Sequence, residues 1–205
     1  MKKAIVALAI AAFASSAFAA VAGSAHDLTA NGLNKADYPG AQISACQFCH
    51  APHNVNTSVP NTPLWNRNTP STTFTMYSST TINGVMDPTQ NANSMTCLSC
   101  HDGLTDMGAT YTGTRGFAVA TVMKTTRGNV VGANLQDDHP ISIRYTQAAN
   151  KYASVNAVTT AGLRLYGLAG QEKVECGSCH NPHDNTLGKF LRVSSTTICT
   201  TCHLY

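Results

Sequence analysis

The sequence predicts a mostly irregular chain with short helical turns and little β structure, held together by something other than a side-chain core. Three observations predict it. Among 205 residues only 11% are charged and 7% aromatic. The large apolar residues that fill an ordinary interior are therefore scarce, and Thr, Ser, Asn, Ala and Gly take their place. Pro60, Pro63, Pro70 and Pro88 interrupt the stretch from 55 to 93, which favours turns and extended chain over helix. Finally, all 8 cysteines fall into groups of one form. A chain of this length has room for one or two small domains, and its formal net charge of +3 gives no basic footprint for nucleic acid.

From the N-terminus, Lys2 and Lys3 precede an apolar run from Ala4 to Ala14, and small residues then offer cleavage after Ala17-Phe18-Ala19 or Ala20-Val21-Ala22. This is the grammar of a secretory signal peptide. The run is shorter than the roughly 20 residues a spanning helix needs. Residues 1–22 are expected to be removed, with cleavage near Ala19 to Ala22, leaving 23–205 as one exported domain. Between 55 and 93 loops are expected. The weak alternation of Phe117-Ala118-Val119-Ala120-Thr121-Val122 and Asn129-Val130-Val131 predicts a short hairpin within 113–144. Helix is expected as single turns at the cysteine groups and around Thr146 to Val155.

In an exported chain the default reading of eight cysteines is four disulfides. Spacing overrides it. The groups are Cys46-Gln47-Phe48-Cys49-His50, Cys97-Leu98-Ser99-Cys100-His101, Cys176-Gly177-Ser178-Cys179-His180 and Cys199-Thr200-Thr201-Cys202-His203. Each is C-x-x-C-H, the attachment sequence for c-type haem. Two thiols three positions apart on one tight turn can each form a thioether to a porphyrin vinyl group, and the adjacent His then offers its imidazole to the iron. Zinc would not require a His after every second Cys, and a redox dithiol would not recur four times. The expectation is four covalently attached c-type haems (iron), and a fold organised as a multihaem cytochrome c around stacked haems, with about 46 residues of mature chain for each.

Eight histidines supply two axial ligands per iron. His50, His101, His180 and His203 take the proximal positions, leaving His26, His53, His139 and His183 as distal ligands. Met76, Met86, Met95, Met107 and Met123 could serve instead, but no Met occupies a repeated position. Bis-His, six-coordinate, low-spin iron is therefore expected, at low potential relative to His/Met ligation. With no open coordination position the chain reads as an electron carrier and not an enzyme. The alternative, reduction of a small nitrogen oxyanion, needs a vacant iron.

The order of spare His, long motif and short motif occurs twice, which predicts an internal duplication of 23–101 and 139–203. His53 and His183 each sit in C-x-x-C-H-x-P-H, too close to His50 and His180 to reach the opposite face of the same porphyrin. Each must serve a different haem, and Pro52 and Pro182 restrict the turn between the two imidazoles. His26, near the new N-terminus after cleavage, could fold back within its own subunit or reach an adjacent one.

These motifs resemble the paired-CXXCH multihaem cytochromes c. Further pieces agree with its tetrahaem members: Pro63-Leu64-Trp65-Asn66-Arg67, the run C-L-S-C-H-D-G from Cys97 to Gly103, and Asp137-Asp138-His139-Pro140-Ile141-Ser142. The chain is similar to those members whose subunits polymerise into extracellular nanowires. That resemblance implies a head-to-tail homopolymer, with His26 ligating a haem of the neighbouring subunit and electrons passing to other redox proteins and extracellular acceptors. It places the protein outside the cell or on the outer cell surface; a monomeric periplasmic electron shuttle is the alternative.

Overall fold

A C-x-x-C-H segment becomes a helical turn because the His N–H can reach back four residues, and all four motifs form such turns in the computed structural model of the chain. It describes residues 21–29, 32, 38, 43–114, 116–127, 129–146 and 150–204. Nearly all of the expected signal peptide therefore lies outside the described residues. The elements are a 3-10 turn (Ala45–Phe48), α1 (Ala92–His101), a second 3-10 turn (Thr125–Arg127), β1 (Ile143–Arg144), α2 (Val155–Thr160), β2 (Lys173–Val174), α3 (Cys176–Cys179) and α4 (Ile198–Cys202). The N–H groups of His50, His180 and His203 donate to the carbonyls of Cys46, Cys176 and Cys199 at 2.8, 3.2 and 2.9 Å. The second motif instead occupies the last turn of α1. Two turns are primed at their start: the Ser44 N–H donates to Gln47 Oε1 at 3.0 Å, and the Glu175 N–H to Ser178 Oγ at 2.9 Å. Each bond is the return arm of a capping box.

From 55 to 91 the proline-rich stretch contains no helix or strand, only turns and extended chain, and the loop expected to run to 93 ends two residues sooner, where α1 starts at Ala92. Two other expectations are corrected. The hairpin within 113–144 does not form among the described residues. The partners of that segment lie elsewhere: Gly116 N–H bonds to Gly108 O, Val131 N–H to His101 O and Leu135 N–H to Thr75 O. The alternation marks Phe117 entering a core, not two strands pairing. β1 pairs antiparallel with β2 across a long connection, Ile143 opposite Val174 and Arg144 opposite Lys173. The helix expected around Thr146 to Val155 starts only at Val155. Ser154 is its N-cap, in extended conformation, with its side chain accepting from the Ala157 N–H; residues 147–149 lie outside the described residues.

Among the described residues three small apolar clusters form. Tyr38, Phe48, Met107 and Phe117 form one, Phe74, Leu98 and Leu135 a second, and Tyr145, Val158 and Leu163 a third. Leu98 and Phe48 are themselves the x residues of C-x-x-C-H turns, so the clusters hold those turns directly.

The pairing of β1 with β2 delivers Glu175 to the point where α1 meets α3. Its side chain is 2% exposed. It accepts from Ser94 Oγ at 2.5 Å, Asn91 Nδ2 at 2.7 Å and Ser142 Oγ at 3.0 Å, while the Cys176 N–H donates to the same Ser94 hydroxyl at 3.1 Å. One carboxylate thus ties the second motif, the third motif and β1 together. Removing it strands three donors in a dry site. Glu175→Ala is expected to lower unfolding stability by about 3 kcal/mol, and Glu175→Gln by less, as read by thermal unfolding of the haem-loaded protein.

Candidate haem-binding site

Each C-x-x-C-H turn is met by an extended segment from elsewhere in the chain. At the first motif, Ala51 N–H donates to Leu64 O at 2.9 Å and Asn66 N–H to Cys49 O at 2.8 Å, and His50 bridges Trp65. The third motif repeats this bond for bond. Asn181 N–H donates to Phe190 O at 2.7 Å and Arg192 N–H to Cys179 O at 2.9 Å, and His180 bridges Leu191. Leu64 and Phe190 occupy corresponding places and both have φ 57°, a left-handed conformation that a side chain tolerates only where its surroundings enforce it. The correspondence reaches the side chains: Asn66 Nδ2 donates to Gln47 O and Arg192 Nε to Gly177 O, each at 2.7 Å.

The purpose of the left-handed step is visible at the imidazoles. It turns one carbonyl toward Nδ1 of the proximal His. His50 Nδ1 lies 3.0 Å from Pro63 O and His180 Nδ1 2.9 Å from Lys189 O. The second motif gets the same contact from a different segment, His101 Nδ1 lying 2.7 Å from Asn129 O. Of the spare histidines, His139 Nδ1 is 3.0 Å from Pro140 O and His26 Nδ1 3.4 Å from Pro182 O. A carbonyl can only accept, so the ring proton belongs on Nδ1 and the lone pair on Nε2. That is the tautomer a metal-binding imidazole needs.

The eight imidazoles are brought together in part. His50 and His183 stack with ring centres 5.9 Å apart and planes 25° apart. His26 meets His101 at 6.3 Å and 75°, and His139 meets His203 at 6.4 Å and 76°. His183 thus faces the proximal His of the first motif, not that of its own. His53 and His180 have no facing imidazole among the described residues. His53 lines an open surface pocket of about 220 Å³ with Gln47, Ala51, Pro52 and Asn66; His180 is exposed.

The electrostatics disfavour charge on four of the rings. Burial, followed by the nearby His101, lowers His26 to about 4 against the pull of the Pro182 carbonyl. Phe190, stacked on it at 4.1 Å, supplies part of that burial. Loss of hydration also lowers His101, His183 and His203, and the facing imidazoles His50 and His139 add to the effect on the last two. Desolvation acts in the opposite sense on thiols, pushing Cys49 up to about 12 although its side chain keeps open surface, and Cys179 to about 11.

The thiols form a continuous series. Cys49 of the first motif lies in the field of Cys100 of the second, Cys97 and Cys176 of the third act on one another, and Cys179 lies in the field of Cys202 of the fourth. The residues fit the group that the motifs call for. Two imidazoles on opposite sides of one metal would have ring centres about 6.2 Å apart, from about 2.0 Å to each nitrogen and about 1.1 Å on to each ring centre. Three pairs stand at 5.9, 6.3 and 6.4 Å. The chemistry such a set can perform is to fix an iron on both faces beside paired thiols.

Two buried charged residues at this site carry no motif signature. Glu175 precedes a cysteine, and Arg67 closes the P-L-W-N-R segment without any spacing that marks it as internal. The carbonyls of Pro63, Asn129 and Lys189 are invisible to side-chain patterning altogether. The one signal that could have found them is the extended segment following each long motif.

Comparison with known proteins bears on the second half. None of the curated proteins compared with the chain matches it. A family model described as a doubled CXXCH motif matches residues 169–204, which contain the third and fourth motifs. The match supports a multihaem c-type cytochrome family, with covalently bound haem and a part in electron transfer.

Proposed function

We propose that the protein is a tetrahaem electron carrier in which each iron is held by two imidazoles, and that copies of it join head to tail into an extracellular conductive filament. Haem, when bound, supplies a one-electron iron couple. The chain's own residues orient and insulate it: backbone carbonyls hold a proton on Nδ1 of the imidazoles, the C-x-x-C turns fix the thiols, and the extended segments set the turns side by side. The observation that carries the reading is the set of three facing imidazole pairs at the span of a shared metal.

The remaining two histidines give the reading its polymer. His26 was the expected ligand for a neighbouring subunit, but its seat between His101 and Phe190 favours a role within its own chain. His180 and His53 are left as complementary halves of a fourth pair, one with no imidazole opposite it and the other beside an open pocket. If His53 of one copy faces His180 of the next, the contact is heterologous, and a heterologous contact that does not close propagates. Export, and delivery of electrons to other redox proteins or to a mineral, electrode or cell, follow from the signal-peptide reading and the filament together.

A second reading has one observation in its favour. In a single chain the centre held by His180 lacks a distal imidazole, and an open position there suits a reductase of a small nitrogen oxyanion. A monomeric periplasmic shuttle would share that vacancy.

Spectra and micrographs of secreted material separate these readings. The filament reading expects fibres, low-spin iron throughout, and no carbon monoxide binding by the native reduced protein. His53→Ala should abolish fibres and leave about one centre in four high-spin, whereas His26→Ala should leave fibres intact. Fibres with entirely low-spin iron in His53→Ala, or carbon monoxide binding in native fibres, would count against it. The ring angles give a second test by electron paramagnetic resonance. Crossed imidazole planes leave two iron d orbitals nearly equal in energy, and aligned planes split them. The centres of the second and fourth motifs should therefore give highly anisotropic low-spin signals, and that of the first a rhombic one.

A further inference from the structure

Arg67 is 1% exposed. All three guanidinium nitrogens end on neutral oxygen: Nε donates to Ser99 Oγ at 2.9 Å, Nη1 to Met107 O at 2.6 Å, and Nη2 to Ser99 O at 2.6 Å and Asp106 O at 3.0 Å. The ion pair formed between described residues is Lys173 with Asp87, and Arg67 takes no part in it. Burial of an arginine without a carboxylate is costly, and four hydrogen bonds to carbonyls and a hydroxyl solvate the cation without cancelling its charge. Its pKa is too high for it to shed the proton instead.

The position of that charge is specific. Ser99 lies between Cys97 and Cys100 of the second motif. The residue before Arg67 is bonded through its N–H to Cys49 O of the first motif at 2.8 Å. Arg67 therefore stands where the first two C-x-x-C turns meet. Carboxylates are distributed unequally around it. Asp102, 1% exposed, directly follows His101 of the second motif, and Arg67 is bonded to the backbone of Asp106, whereas no Asp or Glu occurs from 41 to 86 around the first motif. In a low-dielectric interior a fixed charge acts over distances at which water and salt would screen it.

We propose that Arg67 is a fixed-charge tuning residue that raises the reduction potential of the haem carried by Cys46 and Cys49, and to a smaller extent that of the haem carried by Cys97 and Cys100. Oxidised iron carries one more positive charge than reduced iron, so a buried cation nearby favours reduction. The second motif gains less because Asp102 and Asp106 offset it. The chain would thus hold a potential difference between centres with the same imidazole ligands, set by burial and local charge. The inference rests on the haem reading of the motifs.

The test is a spectroelectrochemical titration of the haem-loaded protein, with covalent haem counted by its alkaline pyridine spectrum. Arg67→Gln removes the charge and should shift the highest-potential part of the titration curve downward by about tenfold in the reduction equilibrium constant, equivalent to about 59 mV for one electron. Arg67→Lys keeps the charge but loses the fork of hydrogen bonds, and should titrate close to wild type. If Arg67→Gln does not assemble, Ser99→Asp sets a carboxylate against the guanidinium and should give the same downward shift with the arginine in place. An unmoved curve in a variant loaded with every haem overturns the proposal. So does a shift in Arg67→Lys as large as in Arg67→Gln, which would mean that Arg67 acts only by holding the loops. Absence of covalent haem from the wild-type protein would defeat the underlying haem reading instead.

Discussion

The hydrogen bond between an imidazole Nδ1–H and a backbone carbonyl recurs at His50, His101, His139 and His180, and much of the chain is arranged to deliver those carbonyls. An imidazole on a helical turn can rotate about two bonds and can carry its proton on either nitrogen. A carbonyl at Nδ1 removes both freedoms together, because it selects the tautomer and fixes the ring plane. At the first and third motifs the carbonyl arrives on a segment that crosses back over the turn, with Leu64 at one and Lys189 and Phe190 at the other in the left-handed region. Leu64 and Phe190 accept that strain at equivalent points of the two halves. The fourth motif is held differently: Ala153 N–H donates to Cys202 O and Tyr152 bridges His203. There the facing His139, not a strap carbonyl at Nδ1, restricts the ring.

How much of this was legible depended on whether the feature resides in side chains. The C-x-x-C-H spacing determined the helical turns, since the cysteines must lie on one side of a tight turn with the histidine following. The prolines kept 55–91 irregular for a local reason that needs no tertiary context. The straps were not legible, because their working atoms are carbonyl oxygens that every residue has. The hairpin failed for a related reason: alternation over a few residues reports which side chains are buried, and Phe117 is buried against Tyr38, Phe48 and Met107 without any strand pairing. Arg67 lies in the P-L-W-N-R segment, yet its burial could not be foreseen from a residue type that is normally exposed. At His26 the sequence left two destinations open, and only its packing against Phe190 and His101 distinguishes them.

Small clusters and buried charges belong to the same design. A chain with so few large apolar residues cannot surround its site with hydrocarbon, and it uses hydrogen-bonded polar side chains as struts instead. Glu175 joins α1, α3 and β1 through three donors; Arg67 joins the first and second motifs to the loop around Met107 through four acceptors. Either would be a poor choice for stability alone, since an apolar replacement of the same shape is often no worse. Fully satisfied polar networks do fix geometry, however, and partly satisfied ones are unforgiving. Where the spacing of four motifs along a series matters more than the depth of a core, that exchange is reasonable. It also leaves fixed charges of opposite sign within reach of different motifs.

The imidazole pairing among the described residues is incomplete although two of the motifs are built alike. The first and third motifs are closed by the same strap and each carries a second histidine beyond a proline, so the two are equivalent in what they offer. Equivalence would allow a reciprocal exchange, His183 facing His50 and His53 facing His180. Only the first of these is present. The chain between the motifs breaks the symmetry: α1 stands between them, and its end brings His101 to His26, whose ring lies on Phe190 of the third motif's strap. Phe190 carries the His26 ring and the neighbouring Lys189 carbonyl meets His180, so the strap of the third motif engages both histidines. His53, beside its open pocket, and the exposed His180 are left without a facing imidazole among the described residues. That is the arrangement on which the proposed contact between copies rests, since a heterologous contact that does not close a ring propagates.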